Sequence, residues 1–316
     1  MSYSVIFDTD PGVDDAQAIA LLMADPDIEI VGLTTTFGNV PIDVATRNAL
    51  LLTELAGRED IPVARGAAAP MVKQPHPVPA HIHGEDGLGN QVLAEPQRAP
   101  IDSDAARFIV DSTRERPGEI TLVCVGPLGN LAAALQLDPE LPERVARVVV
   151  MGGSIHEGGN VTPVAEANIF SDPHAAARVL GASWPLTMVG LDVTHETVLA
   201  PDRMERICSA QGRLGEVLAA SYAFYRQFYE QARGIEGCCP HDSCALAWLK
   251  HPELFQSVHG HLNVITDGLA EGQTLLARSD RQYIDRRWQN DSRAEVCLGV
   301  DGEAVVTWME QLLARS

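Results

Sequence analysis

The sequence predicts an α/β protein with an open, mainly parallel β-sheet flanked by helices, and two observations carry that prediction. Short apolar runs alternate with segments of helical periodicity from residue 5 to residue 189. Several of these runs, such as residues 145–151, are apolar on both faces, as in strands that helices cover on both sides. Ligands of such sheets bind in the crevice beyond the carboxyl ends of the strands, so we expect the functional site there.

The elements follow one another in chain order. The predicted strands are residues 5–7, 28–36, 61–64, 120–125, 145–151 and 186–189. The predicted helices are a segment that begins at Asp14-Asp15, residues 42–56, 104–115, 128–137 and 174–180, and most of residues 201–231. Residues 67–100 are rich in proline and glycine and lack periodicity, which predicts a long loop or lid.

Composition limits the classes of protein that this chain can belong to. With 316 residues, 46% of them hydrophobic, the chain is long enough for one domain with a large core or for two small ones. Its formal net charge is -20 and no basic stripe occurs, so we expect no nucleic-acid polymer and no anionic membrane surface as partner. The sequence has neither a basic leader nor an apolar run of about 18 residues, and we therefore expect a cytoplasmic protein.

The first predicted strand runs directly into a group of carboxylates. Pro11-Gly12 is a turn signal that ends the strand, and a helical segment follows. Four aspartates crowd this strand-to-helix loop, and like charges at that density repel unless a cation lies among them. They are Asp8, Asp10, Asp14 and Asp15. An all-oxygen set suits Ca²⁺ or Mg²⁺, although the aspartates could also simply cap the helix.

Two other groups of residues suggest chemistry by their type. His76, His81 and His83 lie in the predicted loop, but their spacing matches no common zinc pattern. Cys238 and Cys239 are adjacent, which suits a redox pair poorly, and buried thiols are the alternative interpretation. We expect neither zinc nor thiol chemistry from these groups.

A series of motifs resembles one known family along most of the chain. The motifs are Asp-Thr-Asp-Pro-Gly-Val-Asp-Asp-Ala at residues 8–16, Thr-Thr-Thr-Phe-Gly-Asn at 34–39, His-Gly-Glu-Asp-Gly-Leu-Gly at 83–89, Met-Gly-Gly at 151–153, the segment 160–168, and His-Asp at 241–242. Their order and distances resemble those of the nucleoside hydrolases, calcium-dependent enzymes that cut the N-glycosidic bond of ribonucleosides.

The resemblance implies several properties beyond the motifs themselves. It implies one nucleoside hydrolase domain over residues 1–316, with Ca²⁺ as cofactor and ribonucleosides as substrates. The products would be ribose and a free nucleobase, as in nucleoside salvage or catabolism. Family members are commonly homotetramers or homodimers, so we expect a homo-oligomer.

Four residues are expected around the metal. Asp10 is the candidate general base, because a carboxylate that also binds the cation can take a proton from a water molecule that the cation acidifies. Asp15 and Asp242 complete the carboxylate set. The resemblance adds the main-chain carbonyl of Val125, where family members often carry threonine.

The ribose is expected among polar side chains near the metal. Vicinal hydroxyls can enter the shell of a calcium ion, whose coordination number is high and flexible. The expected ribose contacts are Asp14, Asn39, Asn160, Glu166 and Asn168. The segment 160–168 could alternatively be an ordinary solvated loop. Met151 is expected to pack beneath the sugar, with a place in the core as the alternative.

The nucleobase is expected beside histidine and tyrosine side chains. By resemblance, His83 lines the base side. Tyr222, Tyr225 and Tyr229 recur at helical spacing, and whether Tyr225 and Tyr229 face the base or the core stays open. His241 is the candidate proton donor to the leaving base, and we expect nearby carboxylates to favour its charged form. A structural histidine is the alternative.

Two rival functions belong to other classes. A haloacid-dehalogenase-type phosphatase also places Asp-x-Asp after a first strand, but it would leave Pro11-Gly12 and the His241-Asp242 pair unexplained. A non-catalytic, calcium-dependent nucleoside binder would keep Asp15, Asp242 and the ribose contacts without needing Asp10 or His241. Release of ribose or of phosphate distinguishes the three functions.

Overall fold

The computed structural model describes residues 2–288 and 292–314. Its strands are β1 Tyr3–Thr9, β2 Ile28–Thr35, β3 Val63–Arg65, β4 Ile120–Cys124, β5 Arg147–Met151, β6 Leu186–Val189, β7 Phe255–Val264, β8 Thr274–Arg278 and β9 Ala294–Val300. Within the described ranges, these nine strands form one sheet in the order β3-β2-β1-β4-β5-β6-β9-β7-β8. The predicted fold class is confirmed.

Helices cover both faces of this sheet. They are α1 Val13–Ala24, α2 Ile42–Leu55, α3 Ala80–His83, α4 Ala105–Glu115, α5 Gly129–Leu137, α6 Leu141–Arg144, α7 Ala167–Ser171, α8 Pro173–Leu180, α9 Leu191–Thr194, α10 Pro201–Ala210, α11 Gly212–Arg233, α12 His241–Lys250 and α13 Gly302–Leu313. Short 3-10 helices cover Pro252–Leu254 and Arg286–Trp288. None of the described helices combines the length and the apolar character that crossing a bilayer requires.

The strands from β3 to β6 run parallel to one another. In the centre of the sheet, Phe7 of β1 lies opposite Leu33 of β2 on one side and opposite Val123 of β4 on the other. β9 continues the parallel arrangement beside β6, whereas β7 pairs antiparallel with both β9 and β8. The carboxyl ends of β1, β2, β4, β5 and β6 therefore meet at one edge of the sheet.

Alternate residues of the central strand face two separate apolar layers. Val5 and Phe7 belong to a cluster that includes buried residues of α1, α11, α12 and α13, whereas Ile6 belongs to a cluster with residues of α4, α5 and α8. Successive side chains of a strand point to opposite faces, so a strand covered on both sides must be apolar throughout. This burial is the physical reason for the continuous apolar runs in the sequence.

The predicted strands and helices match the structure within two residues at their ends, and residues 201–231 form two helices, α10 and α11. Residues 67–100 are irregular apart from α3, as predicted. The three strands after residue 250 have no counterpart in the prediction. Polar, exposed residues such as Gln256, Ser257 and His259 interrupt the apolar pattern of β7, because this end of the sheet is only partly covered.

Candidate active site

Four buried aspartates converge at the carboxyl end of β1. Asp10 follows that strand, Asp14 and Asp15 lie in the first turn of α1, and Asp242 lies in the first turn of α12. We call these four residues the carboxylate cluster; none of them is more than 6% exposed. One oxygen from each of Asp14, Asp15 and Asp242 lies within 4.8 Å of the others.

Asp15 is held by donors on both carboxylate oxygens. Its Oδ1 accepts hydrogen bonds from the Thr9 hydroxyl and, at 3.2 Å, from the Asp10 amide. Its Oδ2 accepts from the Gly12 amide and from Asn39 Nδ2, each at 2.9 Å. Burial raises the pKa of Asp15, and these four donors act in the opposite direction. The turn after β1 therefore fixes the orientation of this carboxylate.

Asp10 is enclosed more tightly than the other members of the cluster. Its Oδ2 accepts a hydrogen bond from the Asn39 amide at 2.6 Å. Two glycines pack against its carboxylate, and an added Cβ would lie 1.9 Å from Oδ2 at Gly38 and 2.5 Å from Oδ1 at Gly126. Burial raises the pKa of Asp10 well above its usual range, and the charge of Asp15 raises it further.

Three oxygens of the cluster are buried without a hydrogen-bond partner: Asp10 Oδ1, Asp14 Oδ1 and Asp242 Oδ2. Burial also raises the pKa of Asp14 to about 8 and that of Asp242 well above its usual range. Buried acceptors of this kind need a partner, and an all-oxygen donor set suits a hard divalent cation. The chemistry of the residues present therefore fits a metal site.

The structure modifies two details of the expected metal site. Asp14, expected on the ribose, lies within the compact trio of possible ligands together with Asp15 and Asp242, whereas Asp10 lies outside that trio. The place of Asp10 in the metal shell stays a prediction. Asp8 also lies outside that trio, although its charge still raises the pKa of Asp10, as the expected crowding of charges implies.

Asp8 is on β1, and its carboxylate turns away from the cluster. Its Oδ2 accepts hydrogen bonds from the Thr34 hydroxyl at 2.6 Å and from Asn130 Nδ2 at 2.7 Å. Burial raises its pKa to about 7. Through these two bonds Asp8 connects β1 to β2 and α5.

The ends of β4 and β5 meet at the side chain of Asn168. Its Nδ2 donates to the carbonyl oxygen of Val125 at 2.7 Å and to that of Met151 at 3.2 Å. Met151 is buried, and its sulfur lies 3.6 Å from the same nitrogen. The structure therefore brings Val125, Met151 and Asn168 together, whereas their contacts with a metal or a sugar stay predictions.

Glu166 and Asn160 differ in their surroundings. Glu166 is 2% exposed, accepts a hydrogen bond from the Gly153 amide at 2.9 Å, and caps α7. Asn160 lies on the surface, and its Oδ1 accepts from the Ala167 amide at 3.0 Å. The segment 160–168 is thus buried at its carboxyl end and solvated at its beginning, and the described contacts link Asn160 to α7 rather than to the carboxylate cluster.

A second group of side chains borders the carboxylate cluster. We call His83, Tyr225, Tyr229 and His241 the aromatic wall; all four are buried. The Tyr225 hydroxyl lowers the pKa of Asp14, and it lies 3.4 Å from the hydroxyl of Tyr229. The Tyr229 hydroxyl lies 2.7 Å from His241 Nε2.

The tyrosine stripe divides into two parts. Tyr222 donates to the carbonyl oxygen of Leu199 at 2.9 Å and packs in the core. Tyr225 and Tyr229 also pack against apolar residues, while the Tyr225 hydroxyl influences the pKa of Asp14 and the Tyr229 hydroxyl contacts His241. Both rings therefore lie in the core, and their contact with the nucleobase stays a prediction.

His83 joins the wall from the loop between β3 and α4. Its Nδ1 accepts a hydrogen bond from the Val13 amide at 3.2 Å and lies 4.0 Å from Asp14 Oδ1. Its ring centre is 5.4 Å from that of Tyr225. Burial lowers its pKa to about 3, so His83 is neutral at physiological pH.

His241 departs from one expectation. We expected nearby carboxylates to favour its charged form, yet burial lowers its pKa well below the usual range, and the charges of His195 and Arg233 lower it further. Burial has the largest effect because desolvation penalises the charged form of the ring. Its Nδ1 lies 2.7 Å from the Thr194 hydroxyl.

The three histidines of the loop do not gather around a common point. The ring of His76 stacks on Phe170 at 4.4 Å, that of His81 meets Phe228 edge-on at 5.8 Å, and His83 belongs to the aromatic wall. Among the described residues, the one group of possible metal ligands contains aspartates and no histidine. The three rings therefore lie in different surroundings, and the absence of zinc from this loop stays a prediction.

Cys238 and Cys239 are buried free thiols. Burial raises the pKa of Cys239 to about 11 and that of Cys238 well above its usual range. A thiolate is the reactive form of cysteine, and burial disfavours it here. The structure thus favours the buried-thiol interpretation over redox chemistry.

Comparison with known proteins identifies the family. The family model described as inosine-uridine preferring nucleoside hydrolase matches residues 5–307. The chain belongs to this family. It is 39% identical over 314 residues to "Probable uridine nucleosidase 2" of Arabidopsis thaliana, covering 99% of this chain and 98% of the relative. It is 38% identical over 315 residues to "Non-specific ribonucleoside hydrolase RihC" of Escherichia coli, covering 99% of both chains.

A solved structure agrees with this assignment. "Plant nucleoside hydrolase - PpNRh1 enzyme" superposes over 100% of both chains with a TM-score of 0.96 and 35% identity. As a nucleoside hydrolase, the protein is an enzyme that hydrolyses N-glycosidic bonds. Membership of this family argues against the two alternative functions that the sequence left open, the phosphatase and the non-catalytic binder.

Several residues that hold the site together were missed by sequence reasoning. Thr9 lies within the N-terminal motif but had no role assigned, although it bonds Asp15. Asn130 donates to Asp8 from the first turn of α5, and its position shortly after a predicted strand was an available signal. Thr194 contacts His241 from a distant segment, and no local pattern indicates that contact.

Proposed function

We propose that the protein is a calcium-dependent ribonucleoside N-ribohydrolase in which Asp10 activates water and His241 assists the leaving base. The observation that carries this proposal is the carboxylate cluster, with three unpartnered oxygens, lying directly beside the aromatic wall. Hydrolysis of a riboside builds positive charge on the sugar while the base departs with an electron pair. The negative carboxylate cluster suits the positive charge on the sugar, and the hydrogen-bonding groups of the aromatic wall suit the departing base.

The proposed metal ligands are Asp10, Asp15, Asp242 and the carbonyl oxygen of Val125. Calcium is preferred because the donors are oxygens and because its high coordination number leaves room for sugar hydroxyls. When bound, the cation would neutralise the clustered charge and acidify a coordinated water. The proximity of Asp14 to Asp15 and Asp242 makes Asp14 a further candidate at the same position.

Asp10 would act as general base. It takes a proton from the attacking water, whose oxygen bonds to the anomeric carbon while the carbon–nitrogen bond breaks and its electron pair leaves with the base. The Asn39 amide and the two flanking glycines hold the Asp10 carboxylate in one orientation. Preorganisation of this kind keeps the base aligned with its target.

The proposed sugar contacts are Asp14, Asn39, Asn160, Glu166 and Asn168, with Met151 beneath the ring. Burial of Glu166 and Asn168 supports this assignment, because buried acceptors and donors bind polyols with directional hydrogen bonds. Asn160 is exposed, and its part in the proposal requires the loop that carries it to close over the sugar.

The proposed base contacts are His83, Tyr225, Tyr229 and His241. His241 would donate the proton that the departing nitrogen needs. Because burial lowers its pKa, a protonated His241 would give up that proton readily. Neutral rings on this side would also accept an uncharged nucleobase without an unpaired buried charge.

The cellular setting is also part of the proposal. We propose one nucleoside hydrolase domain over residues 1–316 that works in the cytoplasm, in nucleoside salvage or catabolism, and that assembles as a homodimer or homotetramer. The family resemblance supports the oligomer, and the acidic net charge of -20 supports small uncharged substrates over nucleic acids.

One experiment tests the proposed function. The purified protein is incubated with uridine, cytidine, inosine and adenosine in calcium, with and without chelator, while free ribose and free phosphate are measured. We expect ribose from at least one nucleoside, no phosphate, and loss of activity after chelation. Full activity after exhaustive dialysis against EDTA, with metal content checked, would contradict the calcium assignment.

A further inference from the structure

We propose that Thr194 is a positioning residue that fixes the imidazole of His241 with its Nε2 facing Tyr229. This inference rests on the proposed function, in which His241 assists the leaving base, and adds to it a residue from a different element. Thr194 ends α9, the short helix after β6, whereas His241 begins α12.

Both ring nitrogens of His241 contact hydroxyl groups. Thr194 Oγ1 lies 2.7 Å from Nδ1, and the Tyr229 hydroxyl lies 2.7 Å from Nε2. Thr194 is 0% exposed, so water does not compete for the first of these bonds. Rotating the ring by half a turn would place carbon atoms against both hydroxyls, and leaving buried polar groups unpaired is unfavourable. The pair of contacts therefore selects one ring orientation.

The position of Thr194 is itself set by the ends of two strands. At Gly190, before α9, a Cβ would lie 2.5 Å from the Gly153 carbonyl oxygen, so a glycine is needed for this close approach. The Leu191 amide then donates to that oxygen at 2.9 Å, and the Thr194 amide donates to Gly190 at 3.1 Å. These bonds tie Thr194 to the turn after β5, which also binds Glu166.

His195 restrains the same ring from a second direction. Its ring meets that of His241 edge-on, with 5.5 Å between centres. Glu157 lies 2.9 Å from His195 Nδ1, and Arg233 contacts Nε2. An arginine can only donate, so Nε2 of His195 accepts and Nδ1 donates to Glu157. With both nitrogens engaged, the His195 ring is a fixed surface against His241.

Thr194 contacts the aromatic wall, whereas none of its described side-chain bonds reaches the carboxylate cluster. Its loss should therefore impair departure of the base and spare the activation of water. Uridine and inosine need help for the leaving group, whereas p-nitrophenyl riboside releases a phenolate that needs no proton. Comparison of these substrates separates a positioning role from a general structural one.

The test uses Thr194→Val, which keeps the shape and removes the hydroxyl, and Thr194→Ser, which keeps the hydroxyl. For Thr194→Val we expect kcat on uridine or inosine to fall by about 10- to 100-fold, the range for a misplaced catalytic group, with KM little changed. Turnover of p-nitrophenyl riboside should stay within a few-fold of the parent. Thr194→Ser should restore most of the nucleoside activity.

Thr197→Val is the matched control. Thr197 is equally buried in the same segment, and its hydroxyl donates to the Val193 carbonyl oxygen at 3.1 Å. Thr197→Val should lower the stability of the fold without changing the ratio of the activities on the two substrates. Equal losses of Thr194→Val on both substrates, no loss on nucleosides, or failure of Thr194→Ser to rescue would overturn the proposal. Should Thr194→Val not fold, Thr194→Ala carries the same comparison.

A parallel measurement on His241→Ala distinguishes the two levels of inference. If His241→Ala lowers turnover of nucleosides much more than turnover of p-nitrophenyl riboside and Thr194→Val does not, the role proposed for Thr194 is wrong and the proposed function stands. If His241→Ala lowers the activity on both substrates equally, the proposed role of His241 fails, and the positioning role of Thr194 fails with it.

Discussion

The carboxylate cluster and the aromatic wall respond to the same burial in opposite ways. Burial raises the pKa of Asp10 and Asp242 and lowers the pKa of His83 and His241. Desolvation penalises the charged form of each group, so both sides shift toward neutrality. A cation would restore charge on the carboxylate side alone. The contrast teaches that one buried crevice can hold acidic groups that need a cation to stay charged beside histidines that stay neutral without one.

The largest expected effect concerns the carboxylate side and the ribose 2′-hydroxyl. If that hydroxyl contacts both the metal and Asp14, its absence leaves a buried acceptor unpaired. Sites built to bind a substrate hydroxyl reject the analogue that lacks it by roughly 10⁴-fold. We expect that ratio of kcat/KM for uridine over 2′-deoxyuridine and for inosine over 2′-deoxyinosine in saturating calcium. A ratio below about ten for both pairs would remove the proposed sugar site.

Asp10→Asn comes next, since it keeps the shape of the side chain and deletes the base. We expect kcat to fall by at least about 10²-fold while nucleoside binding survives. Asp8→Asn is the matched control, because Asp8 is equally buried two residues earlier, on β1, but bonds Thr34 and Asn130 instead. Similar losses in both variants would mean that the strand end is merely sensitive to substitution.

His241→Ala tests the aromatic side. We expect its kcat on nucleosides to fall by about 10²-fold, the low end for a lost general acid, with a much smaller loss on p-nitrophenyl riboside. Retention of p-nitrophenyl riboside turnover would also show that the carboxylate side works independently of the wall. Steady-state kinetics on both substrates make the comparison.

The smallest expected effect is on stability. Asp15 and Asp242 lie far apart in the sequence, so a cation binds only the folded arrangement. Calcium at about 100 times its Kd would stabilise the fold by roughly 2.7 kcal/mol, which corresponds to a rise in Tm on the order of 5 °C. Thermal unfolding with calcium and with EDTA measures this shift. An unchanged Tm would argue against a cation in the carboxylate cluster.

The fold was predictable where burial is complete and less so where it is partial. Strands such as β4 and β5 are covered on both faces and appear as apolar runs, whereas β7 is half exposed and left no such pattern. The N-terminal carboxylates were predictable because they are adjacent in sequence. The direction of Asp8 was not, since the strand continues to Thr9 and turns that side chain to the other face.

Residues that act through long-range contacts were the hardest to predict. Thr194 reaches His241 only because α9 and α12 pack together, and the sequence near Thr194 gives no sign of it. The lowered pKa of His241 was likewise hidden, because the extent of its burial depends on the whole fold. Local patterns thus predicted which residue types gather, and tertiary packing determined their protonation and orientation.

The two glycines that enclose Asp10 imply where the enzyme is most vulnerable to random mutation. Gly38 and Gly126 bear no functional group, yet any side chain at either position would collide with the Asp10 carboxylate. We therefore expect a saturation screen for inactive variants to find these two glycines as intolerant of substitution as the aspartates of the carboxylate cluster. The absence of a side chain at these two positions makes room for the Asp10 carboxylate, and that room matters as much as the groups that line the crevice.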